Sequence, residues 1–245
     1  MARVQRELSG DPGIQVRGYG RATGGPASTR PLGVHEGRVT FYFLSIMAIT
    51  YVLEFVVIGA SGGDGFRNAF VLDSTWTAKP WTLVTSVFAH DPFNFFHILL
   101  NGMVLFFFGP LLERRIGSRR FLWLFVTGGA LAGLAQVFLY TTFLQSESGV
   151  VGASGALFAV LGVLVVLGPR LSVLIFFVVP APLWALMLFY AGWDILGLMA
   201  QTGNIAHVAH LAGLVLGLVV GKRLREQGFK FPGRVGHISG SASGW

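Results

Sequence analysis

Apolar residues occupy this chain in long blocks, and the spacing of the blocks sets the first expectation. A bilayer core of about 30 Å takes about 20 apolar residues in a helix. Blocks of that kind fall at roughly 40–60, 95–112, 120–144, 150–168, 182–200 and 205–222. The pattern therefore predicts an all-α membrane protein, a polytopic bundle of six transmembrane helices. Residues 171–181 are apolar too, but Pro180 and Pro182 interrupt the run, which predicts a re-entrant or surface piece before the fifth span. The 61–94 connection carries Trp76, Trp81, Phe88 and Phe93. Such aromatics favour a membrane interface, and the same composition fits a solvated loop with a few anchors. Residues 1–39, rich in Gly, Arg and Pro without apolar periodicity, read as a disordered basic tail. Residues 223–245, basic and then Gly/Ser-rich, read as a second tail, which leaves 40–222 as the membrane domain.

Composition agrees with the pattern. The chain is 53% hydrophobic and 12% charged, against about a quarter charged in soluble domains. A net charge of +7 would suit a nucleic-acid partner if it formed a basic face on a folded domain. Here the basic residues lie between apolar blocks, so no nucleic-acid partner is expected. The absence of cysteine excludes a disulfide framework and a thiolate metal site, and no metal or cofactor is expected. Of 18 Lys and Arg residues, 16 fall in the N-terminal tail, the 113–120 connection, Arg170 and the C-terminal stretch from Lys222 onward; the other side of the bilayer receives Arg67 and Lys79. Positive residues stay inside, which predicts a multi-pass cell-membrane protein with both termini cytoplasmic.

Polar groups within the spans then stand out, because they are costly there and are functional candidates by default. His97 and Asn101 sit in the first turns of the second span, spaced to share a face. Ser154 falls about four residues into the fourth span, and His207 and His210 open the sixth. Asp194 lies near the outer end of the fifth. With the orientation above, these groups gather at one depth in the outer third of the bilayer. A lone serine in a span usually bonds back to its own helix. Its surroundings argue for more: Gly152, Ala153, Gly155, Ala156, Ala159 and Gly162 make the fourth span thin, and Gly213, Gly217 and Gly221 make a small-residue face on the sixth. Two such faces let helix backbones approach closely, which would carry an imidazole to Ser154 and supply the base that a serine nucleophile needs. His210 suits that role better than His207, being closer in depth to Ser154 and continuous with the Gly213–Gly217 face. Glu54 is read either as a structural pair or as part of the outer cluster, and Glu113, beside Arg114 and Arg115, as a structural ion pair.

The strings His97-Ile-Leu-Leu-Asn101, Gly109, Glu113-Arg114-Arg115-Ile116-Gly117, Gly152-Ala153-Ser154-Gly155, Gly192-Trp193-Asp194 and Ala209-His210-Leu211-Ala212-Gly213 occur in that order. Together they make the chain resemble the rhomboid family of intramembrane serine proteases from about Trp81 to Gly221. The resemblance implies a Ser–His dyad without a third acid, with Ser154 as nucleophile and His210 as base. It also implies that His97, Asn101 and the Ser154 N–H stabilise the oxyanion. Its implied partners are the lipid bilayer and single-span transmembrane substrates, cut near their outer membrane end and admitted past a mobile fifth helix and cap loop. Two positions depart from the family pattern: Thr82 follows Trp81 where many members have Arg, and Phe158 stands where bacterial members often have a Tyr stacked on the histidine. A catalytically silent relative that binds transmembrane clients is the alternative reading; such relatives typically lack the serine or the histidine. A transporter would place its site at the midplane between repeats, and neither feature is evident.

The charge asymmetry has a direct test. A cysteine placed at Ser146 should react with an impermeant thiol reagent in intact cells; labelling only after lysis would reverse the orientation.

Overall fold

The computed structural model describes residues 37–146, 149–175, 178–200 and 206–231. Most of the expected tails, 1–36 and 232–245, lies outside the described residues. The first helix, α1 (Arg38–Phe70), covers the expected 40–60 span and continues past it, and Gly62, at φ 68° and ψ −164°, breaks its course. A short α2 (Thr82–Phe88) follows, then α3 (Phe95–Ile116), α4 (Ser118–Thr142) and α5 (Ser154–Leu167). A hairpin of β1 (Ser172–Ile175) and β2 (Val179–Pro182) precedes α6 (Leu183–Ala200) and α7 (His207–Glu226). Among the described residues, α1, α3, α4, α6 and α7 are long and apolar enough to cross a membrane, and α5 is a shorter apolar helix of 14 residues. These are the six expected spans, with three corrections. Ser154 is the first residue of α5 rather than about four residues in, because Gly152, at φ 119°, turns the chain just before it. Residues 171–181 belong mostly to the antiparallel hairpin, which pairs Ser172 with Pro182 and Ile175 with Val179. Finally, α7 runs to Glu226, and Phe229 and Phe231 turn back onto the core, so ordered structure continues beyond residue 222.

The pattern of burial explains which face each helix turns inward. On α3 the buried residues are Asn101, Leu105, Gly109, Leu112, Glu113 and Ile116, a stripe at helical spacing. Phe95, Phe96, Leu99, Leu100, Phe106 and Phe107 of the same helix are exposed. A water-soluble protein rarely leaves so continuous an apolar face uncovered; here it is the face that meets lipid. The centre belongs to α5, whose residues Gly155–Leu157, Ala159–Leu164 and Leu167 are buried.

Packing of α5 on α7 is the tightest contact of the bundle. A Cβ added at Gly213 would run into the carbonyl oxygen of Gly155, and one added at Gly217 would run into that of Ala159. The two backbones touch directly, as the small-residue faces predicted. At the other end of the helices Glu113 organises three elements. Its carboxylate accepts hydrogen bonds from Val39 N (3.1 Å), Thr40 N (2.9 Å), Thr40 Oγ1 (2.7 Å) and Ser118 Oγ (2.6 Å). It thus satisfies first-turn N–H groups of α1, which Gly37 cannot cap with a side chain, and it pins the start of α4. Neither Arg114 nor Arg115 bonds it, so the ion pair expected from their proximity is replaced by a capping role.

On the far side of the bundle, the connection after α1 is held by Asp73, which takes Arg67 Nε at 3.0 Å, Lys79 Nζ at 2.9 Å and Thr75 Oγ1 at 2.6 Å. Burial alone would raise this carboxyl, but the hydrogen bonds from Thr75 and Lys79 outweigh it and hold the group at about 2. The residue after Trp81 takes part in the same anchor, with Thr82 Oγ1 donating to Lys79 O at 2.7 Å.

Gly217→Leu should disrupt the bundle more than any exposed substitution of equal size, because the added carbons meet backbone that cannot rotate away. A loss of at least about 1–3 kcal/mol is expected, read as denaturation in detergent. Unchanged stability would mean that α5 and α7 do not touch here.

Candidate active site

Three constraints place the start of α5. Leu72 and Val150 form an isolated antiparallel bridge, with N–H···O contacts of 3.1 and 2.8 Å. Gly152 N donates to Ser86 O at 2.8 Å, and Ala153 is fully buried. The approach to Ser154 is therefore fixed to both the post-α1 connection and α2. As the first residue of α5, Ser154 presents a backbone N–H that has no carbonyl partner one turn back.

The start of α7 is held from a different direction. Its N-cap position, Ala206, has no side chain that could cap. Instead Gln136, buried on α4, reaches across and accepts from Val208 N (3.0 Å) and Ala209 N (3.2 Å). This fixes the first turn of α7 one residue before His210. With both helix starts set, and with Gly213 against Gly155, His210 Nε2 lies 2.9 Å from Ser154 Oγ. The Phe158 ring is stacked on the imidazole at 4.5 Å and 3°, so the aromatic contact is present without a hydroxyl. Both Ser154 and His210 are half-buried and remain reachable.

Asp194 of α6 completes a connected set. His210 Nδ1–H donates to its two oxygens at 3.1 and 3.2 Å, and His207 Nδ1–H donates to Oδ1 at 2.7 Å. Asp194 and His207 are each 2% exposed. The two histidines of α7 thus share one carboxylate, and of the pair it is His210 that bonds the serine.

His97 and Asn101 come to the same place from α3. Asn94 caps α3, accepting from His97 N, and the Asn101 amide donates one N–H to His97 O at 3.0 Å, leaving a second. The two side chains flank the turn before Ser154: a Cβ at Gly152 would lie 2.7 Å from His97 Nε2 and 3.9 Å from Asn101 Nδ2. Behind them stands His90, its ring 5.0 Å from that of His97. His90 is fully buried, and its Nδ1–H donates to Phe88 O at 3.1 Å. Its backbone N–H donates to Glu54 Oε1 at 2.8 Å. Glu54 thus lies behind the cluster as a structural partner, tying the pre-α3 connection to α1. Gln136, His90 and the link from Asp194 to the histidines were not evident from sequence. The only signal for the last was the depth of Asp194.

Comparison with known proteins bears on what this arrangement is. The Rhomboid domain family model matches residues 77–227, more than half of the chain. RHOMBOID-like protein 12, mitochondrial, of Arabidopsis thaliana is 30% identical over 174 residues, covering 65% of this chain and 51% of that protein. Rhomboid protein 1, mitochondrial, of Saccharomyces cerevisiae is 30% identical over 158 residues, covering 63% and 45%. Rhomboid protease GlpG of Pectobacterium atrosepticum is 28% identical over 226 residues, covering 86% and 68%. The chain spans about half the length of the first two.

His90 gives this region a pH signature. Burial, and then the neighbouring His97, push its imidazole from 6.5 down to about 3, so the folded protein keeps it neutral. An unfolded chain binds a proton there near pH 6.5. The contribution of neutral His90 to stability is therefore complete above about pH 6.5 and is lost as pH falls towards 3. His90→Asn, which keeps an N–H for Phe88 O, should flatten the fall in stability over that window relative to the parent; an unchanged slope would show that His90 titrates normally.

Proposed function

The chain belongs to the rhomboid family, and on that premise we propose that it is an intramembrane serine endopeptidase working through Ser154 and His210. The observation that carries this reading is the 2.9 Å contact between His210 Nε2 and Ser154 Oγ, made between two helices rather than within one. In the proposed reaction His210 takes the Ser154 proton as Oγ attacks a peptide carbonyl carbon. The oxygen that becomes negative faces the Ser154 N–H, the Asn101 amide and His97, donors held in place before the reaction begins. Return of the proton from His210 to the departing amine leaves an acyl-serine, which water cleaves by the same route.

The substrates proposed are single-span transmembrane proteins cut near the outer end of the span, where Gly, Ala or Pro weakens the helix. A peptide in a regular helix has its carbonyl hydrogen-bonded, so local unwinding precedes attack. The protein is proposed to lie in the cell membrane with both termini cytoplasmic, a reading supported by the 16 basic residues on one side.

Ser154→Ala and Asn101→Ala, assayed in detergent against a model transmembrane substrate, test the assignment. The first should abolish cleavage in a protein that remains folded. The second should lower turnover by about 10²–10³, the usual cost of one oxyanion donor. Cleavage by Ser154→Ala near the parent rate would exclude Ser154 as the nucleophile, and absence of cleavage by the folded parent would favour a client-binding role.

A further inference from the structure

We infer that Asp194 is a positioning residue for His210, so that the site works as a relay of carboxylate, imidazole and serine in which the carboxylate is supplied by α6. This rests on the Ser154–His210 reading and adds a third group to it. A carboxylate only accepts hydrogen bonds. The contacts of His210 Nδ1 with both Asp194 oxygens, at 3.1 and 3.2 Å, therefore place the ring proton on Nδ1. That leaves Nε2 bare, as the acceptor facing the Ser154 hydroxyl at 2.9 Å. The opposite tautomer would point an N–H at Oγ and could not receive its proton.

During attack the proton moves from Oγ to Nε2 and the new bond forms between Oγ and the carbonyl carbon. His210 becomes an imidazolium with Nδ1–H still directed at Asp194, which stays a carboxylate throughout and offsets the new positive charge. His207 keeps that carboxylate in place, its Nδ1–H at 2.7 Å from Oδ1. His207 thus has a job that needs no contact with substrate.

The position of Asp194 adds a consequence. Along α6 the buried residues are Leu183, Met187 and Asp194, while Leu188, Phe189, Trp193, Ile195, Leu196 and Met199 are exposed. Two apolar side chains hold the first half of α6, and a carboxylate joined to two imidazoles holds the second. Moving the outer half of α6 away from α7 would separate Asp194 from His210. The base is therefore correctly set only while α6 is seated against α7.

The test uses the full chain in detergent and the model substrate above. Asp194→Asn conserves size, but its amide can donate to Nδ1 and favour the wrong tautomer; the same change in Ser–His–Asp hydrolases costs up to about 10⁴ in turnover. Here kcat should fall at least tenfold with KM within threefold of the parent, and fluorophosphonate labelling of Ser154 should slow in parallel. A kcat within tenfold of the parent, or a loss carried by KM, would overturn the inference. Should Asp194→Asn fail to fold, the Ser154→Ala protein with ¹⁵N-labelled histidine decides the matter, with the His210 signals identified by their loss in His210→Asn. The proton is expected on Nδ1, and a proton on Nε2 refutes the role of Asp194. Retained cleavage in both Ser154→Ala and His210→Ala would instead strike the Ser154–His210 reading itself, while leaving the tautomer result to judge Asp194.

Discussion

The bundle depends on the direct contact of two helix backbones, α5 and α7, at Gly155 against Gly213 and Ala159 against Gly217. In lipid, water does not drive helices together, so packing and polar contacts have to hold them. Small residues let the dispersion contact reach the main chain, and the same closeness brings a serine at the head of one helix to an imidazole in the first turn of the other. A larger side chain at either glycine would push α7 outward. The contact between Ser154 and His210 would open with it, because the two residues belong to the helices that would separate. The packing interface and the proposed site are one and the same.

Polar groups elsewhere in the bundle serve that interface by closing helix ends. Gln136 satisfies the first N–H groups of α7, Glu113 those of α1, and Asn94 the start of α3. Each acts where a helix begins, since that is where the backbone leaves donors that lipid cannot satisfy. Glu113 and Gln136 reach from a neighbouring helix, so each cap is also a cross-link. Among the described residues, other buried polar groups hold connections: Asp73 and Lys79 fix the segment after α1, and Glu54 ties α1 to the segment before α3.

Much of this was legible in the residues, and the boundary of legibility has a physical cause. The spans could be read because the bilayer imposes a length on apolar runs. The approach of Ser154 and His210 could be read because glycine and alanine at helical spacing mark a close contact whatever the partner. Capping across helices could not be read: Gln136 is unremarkable in sequence, Glu113 stands out only as half of an ion pair, and their roles depend on which helix end lies opposite. Proximity in sequence misled for Glu113, since its neighbours Arg114 and Arg115 point elsewhere on the helix while Thr40, far along the chain, lies beside it. The hairpin at 172–182 escaped because a short apolar run interrupted by prolines has no distinctive period, and only pairing distinguishes it from other irregular segments.

The cap that Glu113 places on α1 bridges 73 residues to Thr40. A chain made from its N-terminus delivers α1 to the bilayer well before α3 exists. Until α3 arrives, the first N–H groups of α1 have to rest on water and headgroups at the membrane surface. When Glu113 comes up beside them it brings a charge to a polar boundary that already suits it, so the step needs no buried ion to cross the lipid. These ends of α1, α3 and α4 are then joined together by residues that all precede α5 in the chain, so the frame can close before the helices bearing Ser154 and His210 are complete.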